Sequence, residues 1–298
     1  MKQLKIGTRG SKLALWQARK VQEMLLNAGI LAELVKITTT GDQIQDVPLH
    51  EIGTTGIFTK ALDQALLQGE IDLAVHSAKD MPSVPPEGLH LAALLKREDP
   101  RDVLLASSSQ VSLENLSRPW VIGTSSVRRR ALLQHHFSHV QVKDIRGNLD
   151  TRLGKMLDGA YDGIMLAYAG VKRMGFEKYI VQKLNAASFT PAVGQGAVAV
   201  VTREKDENIP ALRTALHHPE TGYAVASERA YLHAVDGGCH SPVFGLATVV
   251  GSQISLTAGM ANPDGKRILR FTGEGNVSEA EKIGQQLAKQ VLESVNNN

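Results

Sequence analysis

The chain has 298 residues, 43% of them apolar and 21% charged, with a formal charge of +3. That length can bury two or three cores, and so small a net charge gives no argument for a nucleic-acid partner. No run approaches the ~18 apolar residues of a membrane span. The opening MKQLKIGTRGSKLALWQ lacks the sustained apolar core and small-residue cleavage site of an export signal, so the expected location is the cytoplasm.

Residues 4–6 (LKI) read as a first strand, and Ser11 can cap a helix carrying Leu15, Ala18, Val21, Leu25 and Ala28 at helical spacing before Gly29 stops it. ELVKITT is the next strand, 58–67 a second helix ended by Gly69, and IDLAV a buried strand. Pro82, Pro85 and Pro86 interrupt regular structure after it. The charged, proline-broken REDPRD (97–102) reads as a crossing between domains. A second α/β unit follows: WVIG as strand, 127–137 as helix, VKDI as strand, LDTRLGKML as helix, GIMLA as strand and a short helix over 168–174. In TPAVGQGAVAVV, Gly194 and Gly196 permit a tight turn, and 197–201 becomes a strand. The last stretch differs in kind. A helix over 222–234, strand-like runs at GLATVV, ISLTAGM and RILRFTG, and an amphipathic helix built on Ala280, Ile283, Leu287 and Val291 predict a small third α+β domain.

Four strand-end loops gather polar and charged residues: GTRGS with Arg9 and Ser11, HSAKD with Lys79 and Asp80, TSSVRRR with Ser126 and Arg128–Arg130, and RGNLDTR with Arg146 and Arg152. Helix starts expose amide N–H groups that favour anions, and arginine adds a fixed fork of donors suited to carboxylate or phosphate. Residues 121–173 hold nine Lys/Arg against four Asp/Glu, an excess of five that exceeds the charge of the whole chain. This points to a basic cleft for a small polyanion. The glycine spacing fits neither a P-loop nor a dinucleotide fingerprint, and the arginine triplet lacks the interleaved aromatics of a nucleic-acid reader. Asp80 either pairs with Lys79 or, as a carboxylate in a basic cleft, steadies a developing cation or moves a proton. His135, His136 and His139, and separately His217 and His218, have no cysteine or carboxylate at ligand spacing, so no metal is expected.

Cys239, the only cysteine, lies in VDGGCHSPVF. A disulfide within the chain and a multi-cysteine metal site are excluded. Two readings stay open: a small buried apolar group, or a sulfur that does chemistry. His240 beside it is poor evidence for a nucleophilic pair, because neighbouring side chains diverge.

The segments IGTRGSKLALWQ, FTKALDQALL, DLAVHSAKDMP, KREDPRD, IGTSSVRRRALL, IRGNLDTRLGKM, PAVGQGA and GGCHSP, in that order, closely resemble the porphobilinogen deaminase (hydroxymethylbilane synthase) family. The resemblance implies two α/β domains like type II periplasmic binding proteins plus a third small domain carrying the cysteine. The boundaries expected are 1–98 with 197–216, 99–196, and 217–298. It implies a dipyrromethane cofactor joined to Cys239 by a thioether, on which four porphobilinogens condense head to tail with release of four ammonia and, after hydrolysis, linear hydroxymethylbilane. Matching the family's motifs, Asp80 is implied as the catalytic residue. Lys79, Asp80, Ser126, Arg128, Arg129 and Arg146 are implied around the cofactor, and Arg9, Ser11, Arg152 and Arg173 around the substrate. A monomer that hands its product to the next tetrapyrrole-pathway enzyme is the expected assembly. Thr55 in GTTGIFTK departs from the family, which often has lysine there, while Lys60 matches. The alternative from another class is a two-lobed anion-binding protein without catalysis, which predicts reversible binding and no covalent adduct.

Overall fold

A computed structural model describes residues 3–39, 59–107, 111–235 and 242–296. The segment holding Cys239 and the one holding Thr55 lie outside the described residues.

The first unit begins with β1 (Leu4–Thr8), α1 (Lys12–Asn27), β2 (Ala32–Lys36), α2 (Lys60–Leu67), β3 (Leu73–Ser77) and β4 (Leu89–Leu94). Helix α1 starts where the Ser11 hydroxyl accepts the Ala14 amide at 3.3 Å, and it buries Ala14, Gln17, Ala18, Val21 and Leu25. The second unit contains β5 (Asp102–Ala106), β6 (Val121–Gly123), α3 (Val127–His136), β7 (Gln141–Lys143), α4 (Leu149–Leu157), β8 (Gly163–Ala167), α5 (Tyr168–Arg173) and β9 (Ile180–Lys183). The chain then forms β10 (Val198–Arg203) and α6 (Ile209–Leu216). The remainder comprises α7 (Pro219–Ala234), the antiparallel strands β11 (Val243–Val250), β12 (Gln253–Ala261) and β13 (Ile268–Asn276), and α8 (Ala280–Asn296).

Both five-stranded sheets have one plan. The orders are β2-β1-β3-β10-β4 and β7-β6-β8-β5-β9, with the fourth strand antiparallel to both neighbours in each. Those fourth strands come from the chain just after it has crossed between units: β5 after 95–101, β10 after 190–197. The two crossings lie side by side, joined by Arg97 Nε to the Gln195 carbonyl at 2.8 Å and by the Glu98 amide to the Gly196 carbonyl at 3.3 Å. Gly196 has φ +90°, and a Cβ there would lie 2.5 Å from the Glu98 carbonyl oxygen. Only glycine fits both the torsion and the approach.

Each sheet is covered on both faces. In the first, Ile6, Val75 and Val200 face α1 and α6, while Ala74, Ala199 and Val201 face α2. In the second, Ile122 and Met165 pack with Leu132 and Leu133 of α3, and Leu105 and Ile164 with Leu153 and Met156 of α4. Each fully buried Leu, Ile or Val contributes roughly 2 kcal/mol, so these layers hold the strand ends, and the loops on them, in fixed positions. Tyr231, Leu256, Ile283 and Leu287 form the core under the third sheet. Among the described residues no helix is long and apolar enough to cross a membrane.

Several boundaries differ from the sequence reading. Helix α7 begins at Pro219, three residues early, because the His218 ring accepts the Thr221 amide and proline fits the first helical position. Strand β2 stops at Lys36, and the third strand is Leu73–Ser77 in place of IDLAV. Strands β4, β5 and β9 and helix α6 were not anticipated, being short and without a decisive period.

Candidate active site

The four polar loops follow the carboxyl ends of β1, β3, β6 and β7, and α5 with Arg173 follows β8; all five are parallel strands of the two sheets. Ends of parallel strands are where open α/β sheets place ligands.

The centre of the site is a carboxylate that the sequence reading overlooked. Asp102, the first residue of β5, is fully buried. Its Oδ2 accepts Arg128 Nη2 at 2.6 Å, and its Oδ1 accepts Arg129 Nη2 at 2.7 Å, Arg129 Nε at 3.0 Å and Gln195 Nε2 at 2.9 Å. Burial pushes the Asp102 carboxyl up, but the two guanidinium groups and the Gln195 amide outweigh it and hold the group at about 2. Backbone carbonyls take further donors: Thr190 from Arg128 at 2.8 Å and Met165 from Arg129 at 2.9 Å. Both arginines are therefore fixed before any ligand arrives. Arg128 Nε is buried with no partner among the described residues, and an unsatisfied buried donor is costly unless a ligand meets it.

Lys79 and Asp80 lie on the single 3-10 turn that follows β3. Lys79 Nζ reaches Gln195 Oε1 at 3.5 Å. Burial, with Arg129 and Arg128 adding to it and Asp80 and Asp102 opposing, brings the lysine down to about 8. The Asp80 carboxylate makes no hydrogen bond or ion pair among the described residues, yet it acts on Lys79 and, in the second unit, on Arg152. Arg152 donates Nε to the Gly147 carbonyl at 2.8 Å. Burial, then Arg129 and Arg146, brings it down to about 10 against the pull of Asp80. Like charges gathered around a buried guanidinium make an anion welcome there.

The structure thus brings Lys79, Asp80, Arg128, Arg129, Arg146 and Arg152 into one electrostatic cluster spanning both units. The others are placed differently. Ser11 and Ser126 cap α1 and α3, the latter accepting the Arg129 amide at 3.4 Å. Arg9 acts on His76, which burial first and Arg9 second hold at about 4. Arg173 donates Nη2 to the Gly196 carbonyl at 2.7 Å and lies over the Trp16 ring, 5.4 Å from its centre. Arg130 pairs instead with Asp144 at 2.7 Å. Among the described residues no group of three His, Cys, Asp or Glu could hold a metal ion. Besides Asp102, sequence reasoning passed over Gln195, whose amide joins Lys79, Asp102, Arg129 and the Pro100 carbonyl. An acidic residue opening the apolar run VLLA, opposite an arginine triplet, was the available signal for Asp102.

Residues 4–211 match the family described as "Porphobilinogen deaminase, dipyromethane cofactor binding domain", and 223–293 match "Porphobilinogen deaminase, C-terminal domain". A porphobilinogen deaminase of Syntrophomonas wolfei is 46% identical over 297 residues, covering 98% of this chain and 96% of that protein. One of Desulfosudis oleivorans is 43% identical over 294 residues, covering 98% and 95%. Among solved structures, an ABC-transporter periplasmic substrate-binding protein of Coxiella burnetii is 12% identical, covers 76% of this chain and 96% of that one, and has a TM-score of 0.45. That last likeness is too loose to bear on function.

Proposed function

Because the chain belongs to the porphobilinogen deaminase family of porphyrin biosynthesis, we propose that it is a hydroxymethylbilane synthase that condenses four porphobilinogens head to tail on a dipyrromethane primer held by Cys239. Four porphobilinogens and one water give one linear hydroxymethylbilane and four ammonia. The observation that carries the reading is the Asp80 carboxylate, without a hydrogen bond among the described residues, within the electrostatic reach of Lys79 and Arg152 in a cluster of excess positive charge.

The donor set suits a ligand rich in carboxylates. Among the described residues Arg128 Nε has no partner, Lys79 is half-buried, and Arg152 lies in the positive field of Arg129 and Arg146. Lys79, Ser126, Arg128, Arg129 and Arg146 would hold the primer, and Arg9, Ser11, Arg152 and Arg173 the incoming substrate. When bound, the primer supplies the nucleophilic pyrrole carbon that each condensation extends. Asp80 hydrogen-bonds pyrrole N–H groups, stabilises positive charge developing next to it and moves a proton. Guanidinium groups bind acetate and propionate side chains by paired N–H donors. The proposal includes domains at 1–98 with 197–216, 99–196 and 217–298, supported by the pairing of β10 with β3 and β4. It describes a cytoplasmic monomer that passes its product to the next enzyme of the pathway.

Two measurements test it. The intact mass of active protein should exceed that of the bare chain by a dipyrromethane, and Cys239→Ala should lose that excess together with activity. Asp80→Asn should fold and load, yet lose turnover by roughly 10²-fold or more. An unmodified mass in active wild-type protein, or full turnover by Asp80→Asn, refutes the corresponding part.

A further inference from the structure

Helix α1 has two working faces. One buries Ala18, Val21 and Leu25 against its own sheet. The other carries Lys12, Leu13 and Trp16, spaced to lie together along the helix, and meets the second unit. Lys12 Nζ pairs with Asp150 of α4 at 3.1 Å. Leu13 Cδ2 approaches Gly170 of α5, where an added Cβ would lie 3.8 Å from it and 3.1 Å from Leu149 Cδ2. One turn further along both helices, Trp16 faces Arg173. The first unit's core does not use Trp16, which remains 39% exposed.

We propose that Trp16 is a positioning residue that fixes the Arg173 guanidinium at the α1–α5 seam, where it meets a carboxylate of the growing polypyrrole. The inference rests on the reading of Arg173 as a substrate contact. A guanidinium over an indole engages its flat face and leaves its in-plane N–H groups free to donate. One of those groups is taken by the Gly196 carbonyl at 2.7 Å. Ring on one side and carbonyl on another leave the arginine few orientations, so a carboxylate meets donors already in place. Burial brings Arg173 down to about 10, against Glu98, which leaves it charged at neutral pH.

The test compares Trp16→Met, which keeps apolar bulk without a ring face, with Trp16→Phe, which keeps the face, in cofactor-loaded protein. Trp16→Met should raise KM for porphobilinogen roughly three- to fivefold at nearly unchanged kcat, the worth of an exposed cation–π contact. In native mass spectra it should accumulate incomplete chains at the same stage as Arg173→Ala, and Trp16→Phe should return within about twofold of wild type. If Arg173→Ala stalls while Trp16→Met matches wild type, or if Met and Phe are equally impaired, Trp16 does not position the arginine. If Arg173→Ala itself elongates normally, the substrate role of Arg173 falls, and this inference with it.

Discussion

His76 and Asp102 are buried titratable groups whose shifts make stability depend on pH in two separate windows. His76 sits on β3 with no partner for its Nε2 among the described residues, held by burial and then Arg9 at about 4 against an ordinary 6.5. Its folded pKa is depressed, so between those values the unfolded chain binds more protons and stability falls as pH drops from 6.5 towards 4. The shift corresponds to about 3 kcal/mol. Asp102 is also depressed, to about 2 from 3.8, by its arginines against burial. Its stabilisation, on the order of 2 kcal/mol, is full above 3.8 and lost as pH falls through 2. Urea unfolding from pH 7 to pH 3 should therefore lose stability first through His76 and then through Asp102. His76→Gln should flatten the upper window, leaving a shallower slope from His136 and His217, which burial also lowers. An unchanged slope above pH 4 in that variant rules out His76 as its source. Asp102→Asn should cost roughly 3–5 kcal/mol at neutral pH, because two buried guanidinium groups lose their counter-charge.

Helix α3 shows how an element is held from outside itself. Its Ser126 cap and apolar spacing were legible in sequence, and the helix Val127–His136 ends within one residue of the expected 127–137. What was not legible is the hairpin between β12 and β13, which packs on its back. His135 Nδ1 lies 2.9 Å from the Gly265 carbonyl, and a Cβ on Gly265 would sit 2.4 Å from the Ala131 carbonyl oxygen. Gly265 also has φ +71°. Gly251, in the neighbouring hairpin, has φ +60° but nothing within 4 Å of such a Cβ. The pair separates torsion from contact. Gly251→Ala should cost about 1 kcal/mol, the left-handed penalty alone, and Gly265→Ala roughly 2–4 kcal/mol, since the hairpin must leave the helix. Because α3 carries Arg128 and Arg129, Gly265→Ala should also slow cofactor loading, and Gly251→Ala should not. Equal melting temperatures for the two variants would contradict this account. The same contrast explains which elements sequence reveals. Local caps and periods mark α1, α3, α4 and α8, whereas β5 is a five-residue run whose antiparallel place between β8 and β9 depends on distant pairing.

At the scale of the molecule, the residues that join the three units were hidden for the same reason. Glu228 lies mid-helix in α7 and is fully buried. It accepts Arg97 Nη1 of the outgoing crossing at 2.5 Å, the Gly194 amide of the returning crossing at 2.7 Å and the Ala247 amide of β11 at 2.8 Å. In sequence it is one glutamate in an unremarkable helix, and only the assembled chain gives it three partners from three directions. A buried carboxylate whose lone pairs are all engaged is strongly favoured over one left unpaired. Glu228→Gln keeps the volume but replaces one acceptor oxygen with a donor, which must then face either the Arg97 guanidinium or a backbone N–H. The cost should be roughly 3–5 kcal/mol, as for breaking a buried ion pair. It should fall on the coupling between units more than on their separate cores, because the partners of Glu228 lie on both crossings and on β11. Calorimetry should show one cooperative transition in the wild-type protein and resolved, separate transitions in Glu228→Gln. Gln195 hangs from the same crossing, its carbonyl accepting Arg97 Nε at 2.8 Å. Loosening Arg97 should therefore also weaken the Gln195 amide that steadies Lys79 and Asp102, and lower kcat even at temperatures where every unit stays folded. A single sharp transition with wild-type kcat in Glu228→Gln would show that the three units are coupled through something other than this carboxylate.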